Sequence, residues 1–133
     1  MIQRIQSIYL LVATIAMALV SFKVHVWSLN QELTFAHDDT KMFILTITAT
    51  LLSGLAIFIF KNRNIQMKLI RLAVLVLAVI AIRLGLLLRN MEFEFSLNYN
   101  CIGLLLFALG ALYLAYKGVK KDDDLVRSVD RIR

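Results

Sequence analysis

Proline is absent from all 133 residues, so no helix of this chain can carry a proline kink. Cys101 is the single cysteine, which excludes an intrachain disulfide and any chemistry that needs two thiols. There is no glycine-rich phosphate loop, and no serine with a histidine and an aspartate in plausible reach. Inside the apolar runs there is no Asp, Glu or His. A proton-coupled transporter normally needs a titratable group within the membrane, and a haem-binding bundle needs histidines there. The absences therefore argue against an enzyme, and no cofactor and no metal are expected.

What the chain has is apolar length. It is 60% hydrophobic, with a mean hydropathy of +0.77. A bilayer span takes about 20 mostly apolar residues. Four stretches qualify, at about 5–22, 42–60, 72–88 and 101–116, and a tail follows over 117–133. The first stretch lacks a small-x-small cleavage site, so it reads as a retained helix rather than a cleaved signal. The expectation is an all-α membrane protein, a single four-transmembrane-helix domain folded as an up-down bundle.

The net charge of +6 does not point to nucleic acid, because the basic residues flank the spans. Arg4, then Lys61, Arg63, Lys68 and Arg71, then Lys117, Lys120, Lys121, Arg127, Arg131 and Arg133 all fall on one side. Only Lys23, Lys41 and Arg89 fall on the other. The positive-inside rule then puts both termini and the 61–71 loop in the cytoplasm. Glu32, Asp38, Asp39, Glu92 and Glu94 fall outside.

Small and hydroxyl residues mark the faces on which membrane helices pack. Ser7, Thr14 and Ser21, with Ala18 beside them, give helix one such a face. Thr46, Thr50, Ser53 and Gly54 give one to helix two. Ala78, Ala81 and Gly85 do so for helix three, and Gly103, Gly110, Ala111 and Ala115 for helix four. Gln3, Arg4 and Gln6 read as headgroup-level residues. Outside the membrane, residues 91–97 alternate apolar and polar, the period of a half-buried strand. Val24–Leu29 and Glu32–Ala36 are weaker strand candidates, with Asn30 and Gln31 as the turn. A small antiparallel β-sheet from the two outer loops would cap the bundle; a partly ordered coil is the alternative for the first loop. The tail reads as a helix from about Asp124, with Asp122, Asp123 and Asp124 at its N-terminus.

Arg83 is the sharpest single feature, because an arginine within a span is costly. Its candidate partners are Glu92 or Glu94, or Asp38 and Asp39; snorkelling to the interface is the plainer alternative. His25, His37, Asp38 and Asp39 are metal-capable types, but their spacing matches no metal signature. Adjacent His37 and Asp38 would point apart on a regular element.

Three segments carry a resemblance: the opening Met1–Leu11, the turn Phe60–Gln66 and the closing Lys120–Arg133. Together they resemble a family of small four-helix inner-membrane proteins of unknown function from Bacteroidetes-type bacteria. The resemblance brings no activity to carry over. All three segments are cytoplasmic by the charge pattern, which makes that face the better place for a shared role.

The functional expectation is a non-enzymatic accessory, assembly or scaffold protein. Its partners would be the lipid bilayer, other membrane proteins or a second copy. Lys61, Arg63, Lys68, Arg71, Arg127 and Arg131 would form its cytoplasmic interaction set. The alternative is a lipid- or quinone-binding carrier, with an outer-leaflet groove lined by Thr46, Thr50 and Gly85 and with Arg83 at its mouth. Glu92 and Glu94 are further candidate ligand or partner contacts, and a closed pair of either with Arg83 would count against the carrier. A small oligomeric channel or transporter is the third reading.

Overall fold

A computed structural model describes residues 2–29, 32–90 and 95–130. Helix α1 (Ile2–Phe22) leads into strands β1 (His25–Leu29) and β2 (Glu32–Phe35). Helices α2 (Thr40–Phe58) and α3 (Arg63–Asn90) follow, then strand β3 (Phe95–Leu97) and helix α4 (Tyr99–Asp130). All four helices are long and apolar enough to cross a membrane.

Two helix boundaries differ from the sequence expectation. α3 starts at Arg63, so Lys68 and Arg71 stand on a helix and not in a loop. α4 runs unbroken to Asp130, so Asp122–Asp124 lie inside a helix and not at the start of a new one. Two of those aspartates have partners that favour continuation. Asp122 takes Arg63 of α3 at 3.0 Å, and Asp123 takes Arg127 one turn on at 2.9 Å. At about 1.5 Å per residue, the 32 residues of α4 make a rod of roughly 48 Å, well beyond a bilayer core of about 30 Å.

Each helix buries one seam with alternating steps of three and four. α1 buries Leu10, Ala13, Met17 and Val20, and α2 buries Met42, Thr46, Ala49, Ser53 and Ala56. α3 buries Ile70, Ala73, Leu77, Ile80 and Leu84, and α4 buries Ala108, Leu112, Ala115 and Val119. That spacing suits near-parallel or antiparallel helices packed knob into hole. α1 packs on α2 and most extensively on α4, while α3 packs on α2 and least on α4. The opposite faces carry large apolar side chains such as Ile8, Leu51, Leu75, Ile82 and Phe107, all exposed.

The hydroxyl stripes of α1 and α2 meet as expected. Thr14 Oγ1 donates to Ser53 Oγ across the helices at 3.0 Å, and Ser21 is buried. The small-residue face of α3 does not. Ala78, Ala81 and Gly85 are exposed. Residues 77, 80 and 84 carry the same spacing one position earlier, and their larger side chains make the buried seam. Gly103 and Gly110 of α4 are exposed as well.

The sheet is three-stranded and antiparallel, in the order β2-β1-β3. Residues 91–94 and the expected turn at 30–31 lie outside the described residues. β1 changes register between His25 and Trp27, so Val26 falls out of step. Such a bulge breaks the in–out alternation, and both Val26 and Trp27 are buried, in the same core as the helices. Asn98 ties the sheet to α4. Its Nδ2 donates to the His25 carbonyl at 2.8 Å, and its Oδ1 caps α4 by accepting from the Asn100 N–H.

The end of α2 is closed by a side chain from the next helix. Gln66 is buried, and its Nε2 donates to the Ala56 carbonyl at 3.1 Å. This satisfies one of the four carbonyls that a helix leaves open at its C-terminus. Gln66→Leu should therefore cost about 1–2 kcal/mol. Thermal unfolding in mild detergent measures it; an unchanged midpoint would mean that the Ala56 carbonyl finds another donor.

Candidate functional site

Two places in the fold gather charge, one at each end of the helices. The first is the start of α2. Asp39 has extended backbone and caps the helix, its Oδ1 accepting from the Lys41 and Met42 N–H groups. Its Oδ2 accepts from Arg83 Nη2. Arg83 thus reaches along the helix surface to an aspartate in the link between β2 and α2, and both side chains are mostly buried. Burial pushes the Asp39 carboxyl upward. The Arg83 hydrogen bond, the backbone donors and the Arg83 charge together outweigh that and hold it below its usual value. Arg83 Nε is buried and has no hydrogen-bond partner among the described residues.

Of the four expected partners of Arg83, the structure brings up Asp39. Asp38 turns away: its Oδ2 accepts from the Phe35 N–H, and its Oδ1 lies 3.4 Å from His37 Nε2. His37 and Asp38 meet because residues 36–38 form a turn, where neighbouring side chains need not diverge. Glu92 and Glu94 lie outside the described residues.

Thr46 and Thr50 do not reach Arg83. Thr46 is buried and donates to the Phe43 carbonyl; Thr50 donates to the Thr46 carbonyl. Gly85 is exposed, and a Cβ placed on it meets nothing within 4 Å. The groove beside Arg83, about 480 Å³, is lined instead by Lys41, Ile44, Leu45, Val79, Ile82 and Leu86.

The second place is the end where α3 begins and α4 finishes. Arg63 holds Asp122 with both side chains largely covered, which locks the first turn of α3 to α4. Arg127 holds Asp123. Lys61, Asn62, Arg63, Asn64, Ile65 and Asp123 line a polar hollow of about 540 Å³. Of the expected interaction set, Arg63 and Arg127 are thus engaged within the fold, and Lys61 and Lys68 are exposed. Arg71 lies against Tyr116, and Arg131 is outside the described residues.

Sequence reasoning placed Gln6 among the headgroups, but it is buried. It packs against Gly118 of α4, and its Nε2 has no hydrogen-bond partner among the described residues. The signal was present: Gln6 and Gln66 each continue the three-four spacing of their helix's buried seam by one step.

The comparisons bear on the whole of this architecture. A family model described as a domain of unknown function (DUF4293) matches residues 2–132. The chain belongs to that family. The match covers both charged ends and every helix of the DUF4293 fold, and it agrees with the expectation of a family of unknown function. No curated protein and no solved structure matches this DUF4293 chain.

Proposed function

We propose that this DUF4293 protein is a non-enzymatic accessory or scaffold protein of a bacterial inner membrane. It is an up-down bundle of four transmembrane helices with both termini and the α2–α3 turn in the cytoplasm. It presents one pre-ordered charged face to a protein partner. The observation that carries this reading is the Arg63–Asp122 pair, 3.0 Å long and largely covered. It joins the start of α3 to the end of α4, so the polar hollow at Lys61–Ile65 is held in place before any partner arrives. A preorganised surface binds with less ordering cost than a mobile loop. Exposed Lys61 and Lys68 supply positive charge beside it. The partner surface is therefore acidic.

A carrier working at Arg83 is the weaker reading, because Asp39 already occupies the guanidinium and the threonines bond their own helix.

The test is gentle extraction of the native protein from its own membrane, with quantitative proteomics, beside a Lys61→Glu/Lys68→Glu variant. The expected outcome is one stoichiometric partner on the native chain, depleted at least about tenfold on the variant, since two reversed contacts are worth at least 1.4 kcal/mol. No stoichiometric partner on the native chain, or the same partner on both, defeats the reading.

A further inference from the structure

The loosest seam of the fold is the one between α3 and α4, and it opens outward as a groove of about 850 Å³. Its walls are almost wholly apolar: Val74 and Leu75 from α3, Leu106, Leu109 and Tyr113 from α4. Gly110 lies in the floor, and a Cβ there would meet nothing within 4 Å. One end is different. Arg71 Nη2 donates to Tyr116 Oη at 2.7 Å, and the guanidinium carbon lies 5.2 Å from the Tyr116 ring centre. Arg63, Arg83 and Arg127 each hold an aspartate, whereas Arg71 holds a neutral hydroxyl. Among the described residues no carboxylate pairs with it, at the mouth of an apolar slot.

We infer that this groove binds one anionic glycerophospholipid, an acyl chain lying between α3 and α4 and the phosphate on Arg71. The dimensions favour a lipid over a helix. From Leu106 to Tyr116 the groove follows α4 for about 15 Å at 1.5 Å per residue, half of a hydrocarbon core of about 30 Å. That is the depth of one leaflet, and too short to seat a helix that crosses both. Tyr99 and Tyr116 stand about 25 Å apart along α4, the separation of two interfacial aromatics. This puts Tyr116 and Arg71 at a membrane–water boundary, where headgroups lie. A planar guanidinium suits a phosphate. Lys68, on the same helix face one turn from Arg71, and Lys117, next to Tyr116, are exposed and add positive charge. That charge disfavours a headgroup carrying its own cation. The inference rests on the membrane placement proposed above but not on any protein partner.

The test uses the full chain in mild detergent, delipidated and then offered phosphatidylglycerol or phosphatidylcholine, with native mass spectrometry as the readout. The expected result is a single retained lipid, with phosphatidylglycerol favoured about tenfold, as a charge-assisted contact implies. Arg71→Gln should abolish the preference, and Arg71→Lys should keep part of it. Gly110→Leu should lower retention of both lipids, because its side chain enters open space in the groove. Equal retention of the two lipids by the native chain overturns the inference. So does retention unchanged in both Arg71→Gln and Gly110→Leu. A dimer mass that replaces the lipid-bound monomer also overturns it, and assigns the groove to a second copy.

Discussion

Asp39→Ala is expected to lower stability by about 3 kcal/mol, more than most single substitutions at the surface of a small fold. Two losses add. Removing the cap of α2 costs about 1 kcal/mol, as the Lys41 and Met42 N–H groups lose their acceptor. Removing the carboxylate from a mostly buried Arg83 costs about 2 kcal/mol more, between the value for an exposed pair and that for a fully buried one. Asp39→Asn separates the two, since asparagine still caps a helix but carries no charge. It should cost about 2 kcal/mol. Arg83→Met in the Asp39→Asn background should regain most of that loss, because the guanidinium no longer lacks a counter-ion. The measurement is a double-mutant cycle on unfolding in mild detergent. Simple additivity of the two changes would mean that the pair is not coupled. The pH dependence has a definite sign. The Asp39 carboxyl is held down in the folded protein. Its contribution is therefore complete above the ordinary carboxylate value near 3.9 and is lost as pH falls through the lower, folded value. Native protein should lose stability over that acid window, and Asp39→Asn should lose less.

The second large effect is expected at Gly118. A Cβ built there falls 2.8 Å from Gln6 Cγ, closer than real atoms approach. Gln6 is buried, and its Cγ is not a free end that can swing clear. Replacing a helical glycine gains about 1 kcal/mol of propensity, while overpacking a tight contact costs about 1–3 kcal/mol. Gly118→Ala should therefore fall between neutral and about 2 kcal/mol destabilised, the two terms opposing each other. Gly118→Leu, with three more carbons in the same space, should be destabilised by about 3 kcal/mol. Gln6→Ala tests the cause, because it removes the atom that clashes and a buried Nε2 that has no partner among the described residues. In that background Gly118→Ala should become stabilising. If it stays neutral or harmful, the close approach of α1 and α4 is not what Gly118 serves.

The elements were legible where one physical signal dominated. Four apolar runs gave four helices, and strict alternation gave the strand that ends at Leu97. The face of α3 was harder to read. Residues 77, 80 and 84 and residues 78, 81 and 85 share one spacing, and both sets are apolar or small, so periodicity alone cannot choose. The start of α3 and the end of α4 differ from the expectation for a related reason. Hydropathy falls at Arg63 and Lys117, but both helices continue through the charged stretch, and the Arg63–Asp122 pair joins them there. Arg83 stood out from its sequence position, and Asp39 was one of several equal candidates. Only the turn at 36–38 decides which aspartate faces it. The Arg71–Tyr116 contact joins residues 45 positions apart, and nothing in either helix's own pattern announces it.

The most extensive contact in the fold joins the first helix to the last. During synthesis α1 is made before α4, with α2 and α3 between them. Until α4 is made, the extensive helix contact over the buried seam of α1, Leu10 to Val20, comes from α2, and the α4 side of Gln6 is open. Folding thus closes in a late step set by sequence distance, the slow kind of contact to form. A product cut short after α3 keeps three apolar helices yet leaves that seam open, a ready mark for proteolysis.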